Sequence, residues 1–181
     1  MSIRFAKRED IPAILSIYAP FVEQTAVSFE YTTPTVEEME KRMADITKQF
    51  PWLVWEENGQ VLGYAYACAP FERAAFSWCA EPAIYIAPEA RGKGVGKALY
   101  QQLETYLKAQ GYVVLYALVT TSNAPSVAFH EAVGYRQVAF QPDCGYKLGG
   151  WHGLIWLEKR LQTIENPDKM PTPFPELVKV N

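Results

Sequence analysis

Apolar positions at the start of the chain switch period early. Ile3 and Phe5 alternate with polar neighbours and predict a short first strand. Asp10 then reads as a helix N-cap, with Pro12 tolerated in the first turn. Ile11, Ile14, Leu15 and Tyr18 continue at helical spacing. Thr35 and Glu38 form a capping-box pattern for a second helix that carries Val36, Met39, Met43 and Ile46 on one face. Between the two helices, Phe29-Glu30-Tyr31 has no period.

Strand patterns take over next. Trp52 to Trp55 and Val61 to Ala67 read as strands joined at Asn58-Gly59, two residues that accept the positive φ of a tight hairpin. Phe76 to Ile86 predicts a fourth strand, bulged near Pro82 because proline has no N–H for the ladder. A helix follows, with Leu99, Leu103, Tyr106 and Leu107 in line, and stops near Gly111. Tyr112 to Val119 is a continuous apolar strand. Asn123 then caps a short helix with Pro125 in its first turn, ending near Gly134. Tyr135 to Phe140 and Leu154 to Leu157 supply the last strands. The alternation of strands and helices predicts an α/β (α+β) fold with one mixed central sheet. One domain over residues 1–162 is expected. Residues 163–181, with Pro167, Pro171, Pro173 and Pro175, read as a proline-rich extended arm or frayed end.

Composition narrows the classes of function. At 181 residues the chain is long enough for one full core, and its net charge of −3 argues against a nucleic-acid partner. The N-terminus is charged from the start and lacks a signal-like apolar stretch, and no run is apolar enough to span a bilayer. Cys68, Cys79 and Cys144 are an odd count without metal-like spacing. Reduced thiols in a cytoplasmic protein, with no metal and no membrane, are expected.

Against that background one segment stands out, Arg91-Gly92-Lys93-Gly94-Val95-Gly96, between a strand and an amphipathic helix. Its glycines clear side chains from backbone N–H groups at a helix N-terminus, where the dipole favours an anion, and Arg91 and Lys93 add positive charge. A P-loop is excluded, because Ala98 follows Gly96-Lys97 and the first glycine is missing. A dinucleotide fingerprint fits poorly, with G-x-G-x-G in mid-chain instead of G-x-G-x-x-G near the first strand.

The segment matches R-x-x-G-x-G and so resembles the pyrophosphate loop of the GNAT N-acetyltransferases. The element order resembles that fold along its length, which implies splayed central strands flanked by helices. Three further segments are similar to the phosphinothricin acetyltransferase branch. They are Trp78 to Ile86 around Glu81, Asn123 to Tyr135 around Ser126 and His130, and Gly145-Tyr146-Lys147-Leu148-Gly149-Gly150-Trp151-His152.

The resemblance implies acetyl-CoA as cosubstrate. Arg91, Gly92, Lys93, Gly94, Val95, Gly96 and Lys97 would hold its pyrophosphate. Backbone groups of Ile84, Tyr85 and Ile86 would pair with the pantetheine arm and polarise the thioester carbonyl, and Asn123 and Ser126 would meet the pantetheine or adenosine. Glu81 is the candidate general base, with a pKa raised by apolar neighbours. His130 takes the place where many relatives carry a tyrosine; it is a candidate acid for the leaving thiolate or an orienting group, with Tyr85, Tyr100 and Tyr146 as alternative acids. Arg73 is the expected anchor for an acceptor carboxylate. Phe29, Tyr31, Lys147 and Trp151 are the expected pocket walls.

The reading that follows is an N-acetyltransferase working by direct transfer on a small amino acid-like amine, of the phosphinothricin, methionine sulfoximine or methionine sulfone type. A homodimer is the expected assembly. The alternatives are a non-catalytic acyl-CoA-binding module and an acetyltransferase of a protein or peptide amine.

Overall fold

The computed structural model describes residues 1–179. Its strands are β1 (Ser2–Phe5), β2 (Trp52–Glu57), β3 (Gln60–Cys68), β4 (Cys79–Ile86), β5 (Val114–Thr120), β6 (Arg136–Lys147) and β7 (Gly150–Arg160). Its helices are α1 (Ile11–Gln24), α2 (Val36–Ile46), α3 (Val95–Gln110), α4 (Ala124–Ala132) and α5 (Phe174–Lys179). The strands form one seven-stranded sheet in the order β1-β2-β3-β4-β5-β7-β6. Only β4 and β5 run parallel.

Helices cover both faces of the sheet. On one face, Leu99, Leu103 and Leu107 of α3 lie wholly buried against Ala65, Ala80 and Leu115. Each such leucine contributes roughly 1.5–3 kcal/mol of apolar burial. On the other face, Ile11 and Ile14 of α1 and Met39 and Met43 of α2 pack on Trp52, Val54 and Tyr64. The Thr35–Glu38 capping box forms as its spacing predicts: Thr35 Oγ1 accepts the Glu38 N–H, and Glu38 accepts the Thr35 N–H. Asn58 and Gly59 both take positive φ in the β2–β3 turn.

Several expectations are corrected. Asp10 stands at the N-cap of α1 but makes no side-chain capping bond; its carboxylate accepts the Lys7 N–H and pairs with Arg4, which fastens β1 to the helix start. Val36 is exposed rather than part of the buried face of α2. The strand expected from Phe76 begins only at Cys79, after a 3-10 turn at Ala74–Phe76. No bulge forms at Pro82, and the β3–β4 register runs unbroken from Gly63↔Ile86 to Cys68↔Glu81. The irregularity lies on the other side of β4, as a separation from β5. The last two strands are longer than their apolar cores and meet at a turn in which Leu148 and Gly149 both have positive φ.

Within the C-terminal segment, residues 171–179 dock on the domain and end in α5. Gln110 donates its side-chain amide to the Thr172 carbonyl at 2.8 Å, and the Thr172 N–H returns to the Gln110 carbonyl at 2.8 Å. Phe174 of α5 is buried between Phe5 and Tyr106. The docking is to this chain's own β1 and α3.

Candidate active site

The sheet opens at the centre. β5 bonds β4 only at Cys79↔Val114 and Ala80↔Leu115, while β3 stays paired with β4 to Ile86. From Glu81 onward one edge of β4 therefore faces a gap rather than a strand. A cavity of about 140 Å³ occupies that gap, with Glu81, Ile84, Tyr100, Asn123, Ser126 and His130 among its walls.

Strand alternation sorts the side chains of β4. Ala80, Ile84 and Ile86 face α3. Tyr85 faces α1, with its ring edge-on to Tyr18 and Phe21. Glu81 shares the Tyr85 face, and the register puts Cys68 of β3 directly opposite it. Burial pushes the Glu81 carboxyl above the usual glutamate range. The Cys68 thiol is pushed up to about 12, mainly by burial and then by the Glu81 charge. Tyr85 is raised well above the ordinary phenol, first by burial; it packs against the α1 side of the core and also lines the cavity in the gap.

His130 is buried, and its two nitrogens are both committed. Nδ1 lies 2.7 Å from the Ser126 carbonyl oxygen, which can only accept, so Nδ1 carries the proton. Nε2 of the neutral ring then accepts from the Tyr100 hydroxyl at 2.9 Å. Burial holds the His130 pKa below 6.5. Tyr100 is itself fully buried on α3, so the pair ties α4 to α3 at the wall of the gap. Nothing in the spacing of Tyr100 and His130 announces this bond. Tyr66 and Cys68 were also missed as neighbours of Glu81; period-2 spacing along β3 puts them on one face once the hairpin register is known.

At the mouth of the gap, Gly92 and Gly94 take φ values of +70° and +79°, a region costly for residues with a Cβ. A Cβ at Gly94 would meet no atom within 4 Å, so the backbone conformation, not crowding, requires glycine there. Ala98 is the first residue of α3 whose N–H bonds a carbonyl outside the helix, that of Gly94 at 3.0 Å. The preceding N–H groups at Val95, Gly96 and Lys97 sit in the first turn of the helix, free of backbone acceptors among the described residues. This is an anion-receiving helix start, and Lys93 and Lys97 lie exposed beside it. Arg91 turns its guanidinium back onto the Ile86 carbonyl at 3.1 Å and over the Phe21 ring. Asn123 caps α4 by accepting the Ser126 N–H at 3.4 Å.

The other expected site residues divide. Phe29 and Lys147 meet where the α1–α2 loop touches the β6–β7 hairpin, and Lys147 donates to the Ser28 carbonyl at 2.6 Å. Tyr31 is largely exposed and donates its hydroxyl to the Tyr146 carbonyl. Trp151 is exposed with its ring edge against Tyr146, outside the gap. Arg73 lines a second cavity with Phe76, Met170 and Pro171. Cys79, two residues before Glu81 on β4, lines the same cavity as Arg73.

A sheet splayed beside an anion-receiving helix start is the architecture of an acyl-CoA N-acyltransferase. Comparison with known proteins makes the class specific. The Acetyltransferase (GNAT) domain profile matches residues 3–156. A phosphinothricin N-acetyltransferase of Streptomyces viridochromogenes is 34% identical over 167 residues, 92% of this chain and 91% of the relative. An L-methionine sulfoximine/L-methionine sulfone acetyltransferase of Salmonella typhimurium is 32% identical over 169 residues, covering 93% and 99%. The crystal structure of a GNAT superfamily phosphinothricin acetyltransferase from Sinorhizobium meliloti in complex with AcCoA superposes with a TM-score of 0.86 at 34% identity, over 94% of this chain and 92% of that one. The chain belongs to the GNAT acetyltransferase family and is an acetyl-CoA-dependent N-acetyltransferase. Among the described residues no cluster could hold a metal ion, and no helix is long and apolar enough to cross a membrane.

Proposed function

We propose that the chain acetylates the α-amine of a small amino acid-like acceptor by direct transfer, with Glu81 as the general base. The observation that carries this reading is the position of Glu81. It is a half-buried carboxyl at the first unpaired residue of the β4–β5 gap, with its pKa raised by burial. A raised pKa makes the carboxylate a stronger base toward the acceptor's proton.

Acetyl-CoA supplies an activated acetyl thioester. The helix start at Val95 to Lys97, with the Gly92–Gly94 turn, has the free donors and positive charge that suit its pyrophosphate. The free edge of Ile84 to Ile86 offers backbone donors and acceptors to its amide-rich arm. Glu81 takes the amine proton. His130, neutral and committed at both nitrogens, serves as an orienting group for Tyr100 rather than as the acid. The leaving thiolate then receives the proton that Glu81 removed, directly or through solvent.

Direct transfer is favoured over an acyl-cysteine route because no cysteine near the gap is a ready thiolate. Cys68 is pushed up to about 12, and burial raises Cys79 as well. The two relatives named for phosphinothricin and for methionine sulfoximine or sulfone indicate the acceptors to try first. A homodimer in the cytoplasm is the setting this reading carries, with Cys68, Cys79 and Cys144 all free thiols.

The test is CoA release from acetyl-CoA with phosphinothricin, methionine sulfoximine, methionine sulfone, ordinary amino acids, polyamines and a lysine peptide, run in parallel on Glu81→Gln. Turnover of one amino acid analogue, lost in the variant, supports the reading. Turnover of the peptide alone replaces the acceptor class, and turnover that survives Glu81→Gln removes Glu81 as base.

A further inference from the structure

The segment Gly145-Tyr146-Lys147 lies far along the sequence from the loop between α1 and α2, yet its three residues meet Phe29, Tyr31 and Ser28 one for one. Lys147 is buried, and its ammonium donates to the Ser28 carbonyl at 2.6 Å. The Tyr146 carbonyl accepts the Tyr31 hydroxyl. Gly145 leaves space that the Phe29 ring fills: a Cβ there would sit 2.5 Å from two ring carbons.

The same loop is tied to its own helices. Tyr18 of α1 shares a hydrogen bond of 2.8 Å with the Ser28 hydroxyl, and Arg42 of α2 pairs with Glu30 at 2.8 Å. Val27, next to this fastening, lines the gap that holds Glu81. The loop has no regular structure from Thr25 to Thr35, so its position depends on these ties. The buried Lys147 ammonium faces the Ser28 carbonyl, and the Glu30 carboxylate of the same loop favours its charge. Its retention at 3% exposure marks the contact as a fixed strut rather than a solvated surface charge.

The geometry points to Lys147 as a positioning residue that fastens the α1–α2 loop, through Ser28, as a preassembled wall on the Glu81 side of the sheet. Lys147 acts on the acceptor amine through that wall, not by contact with the acceptor's carboxylate. The inference rests on the reading of a small acceptor bound on that side. It deepens that reading by assigning acceptor affinity to a tie between two distant segments.

The experiment compares wild type, Lys147→Met and Tyr31→Phe by amide hydrogen exchange of the acceptor-free protein and by steady-state kinetics. Lys147→Met keeps the length of the side chain and removes its donors. Exchange of residues 26–31 is expected to accelerate about tenfold or more in Lys147→Met, the effect of losing one charge-assisted hydrogen bond, while β3 and β4 keep their protection. KM for the amine is expected to rise about tenfold with KM for acetyl-CoA unchanged, because only the acceptor wall has loosened. Tyr31→Phe, at an exposed side chain where folding is not at stake, is expected to shift both readouts in the same direction by less.

Unchanged exchange at residues 26–31 in Lys147→Met overturns the inference. So does a rise in KM for both substrates together, which marks a general loss of structure. If wild type turns over no amine, the functional reading fails on its own account, and the exchange data alone decide whether Lys147 fastens the loop.

Discussion

Glu81 and Cys68 face each other directly across β4 and β3, at the first position after β4 leaves β5. The pairing puts a carboxyl and a thiol on one face of the sheet in a poorly solvated place, and each has its proton held more tightly for that reason.

Glu81→Gln is expected to lower kcat/KM by about 10²–10⁴ while acetyl-CoA affinity stays the same. The pH profile carries the same signature. Glu81 must be ionised to accept a proton, and its pKa lies above 4.5. Activity should therefore fall as pH drops through that raised value, and this acid limb should vanish in the variant. Stopped pH-rate profiles of both proteins, with calorimetric binding of acetyl-CoA, check the expectation.

His130 gives a stability prediction of known sign. Its folded pKa is lowered from 6.5, so below that value the unfolded chain binds more protons than the folded one. The neutral ring's contribution is present above pH 6.5 and is lost as pH falls through the lowered folded value. His130→Asn should cost stability at pH 7.5, where the bond from Tyr100 is lost, and the deficit should narrow in acid. Thermal unfolding at several pH values measures it; a constant deficit would contradict the neutral, locked ring.

Gly94→Ala tests the helix start. The left-handed conformation costs a residue with a Cβ about 1–2 kcal/mol, so the turn should relax away from φ +79°. Titration calorimetry is expected to show acetyl-CoA binding at least several-fold weaker, with the fold preserved by circular dichroism.

The docked C-terminus should matter for stability and not for chemistry. Phe174→Ala removes a ring packed between Phe5 and Tyr106, and a loss of about 2–4 kcal/mol in urea unfolding is expected. Deletion of residues 163–181 should also release the bonds between Thr172 and Gln110 and lower the melting temperature. A truncated chain of unchanged stability would show that this docking is marginal.

What could be read from the sequence was what neighbouring residues decide among themselves. The Thr35–Glu38 box, the Asn58-Gly59 turn and the Gly94 turn into α3 are local hydrogen-bonding or φ requirements, and each appears where its residues stand. The apolar line Leu99, Leu103 and Leu107 announced a buried helix face because its period is intrinsic to the helix. The pyrophosphate-type loop was legible for the same reason, as a run of glycines and cations beside a helix start.

Only the tertiary structure decided which distant groups meet. Pro82 signalled an irregular β4, yet the break falls on the β5 side and leaves the β3 ladder intact, because strand pairing is a property of partners and not of one strand. Arg73 and Glu81 are eight positions apart in sequence, yet they line different cavities, since the chain turns between them. Lys147, expected as a pocket wall, donates to the Ser28 carbonyl, 119 residues away. For His130, a candidate acid or orienting group by sequence, the Tyr100 hydroxyl and the Ser126 carbonyl set the tautomer. Sequence fixes local conformation through short-range sterics and hydrogen bonds. Roles in a site depend on burial and on partners that packing brings from elsewhere in the chain.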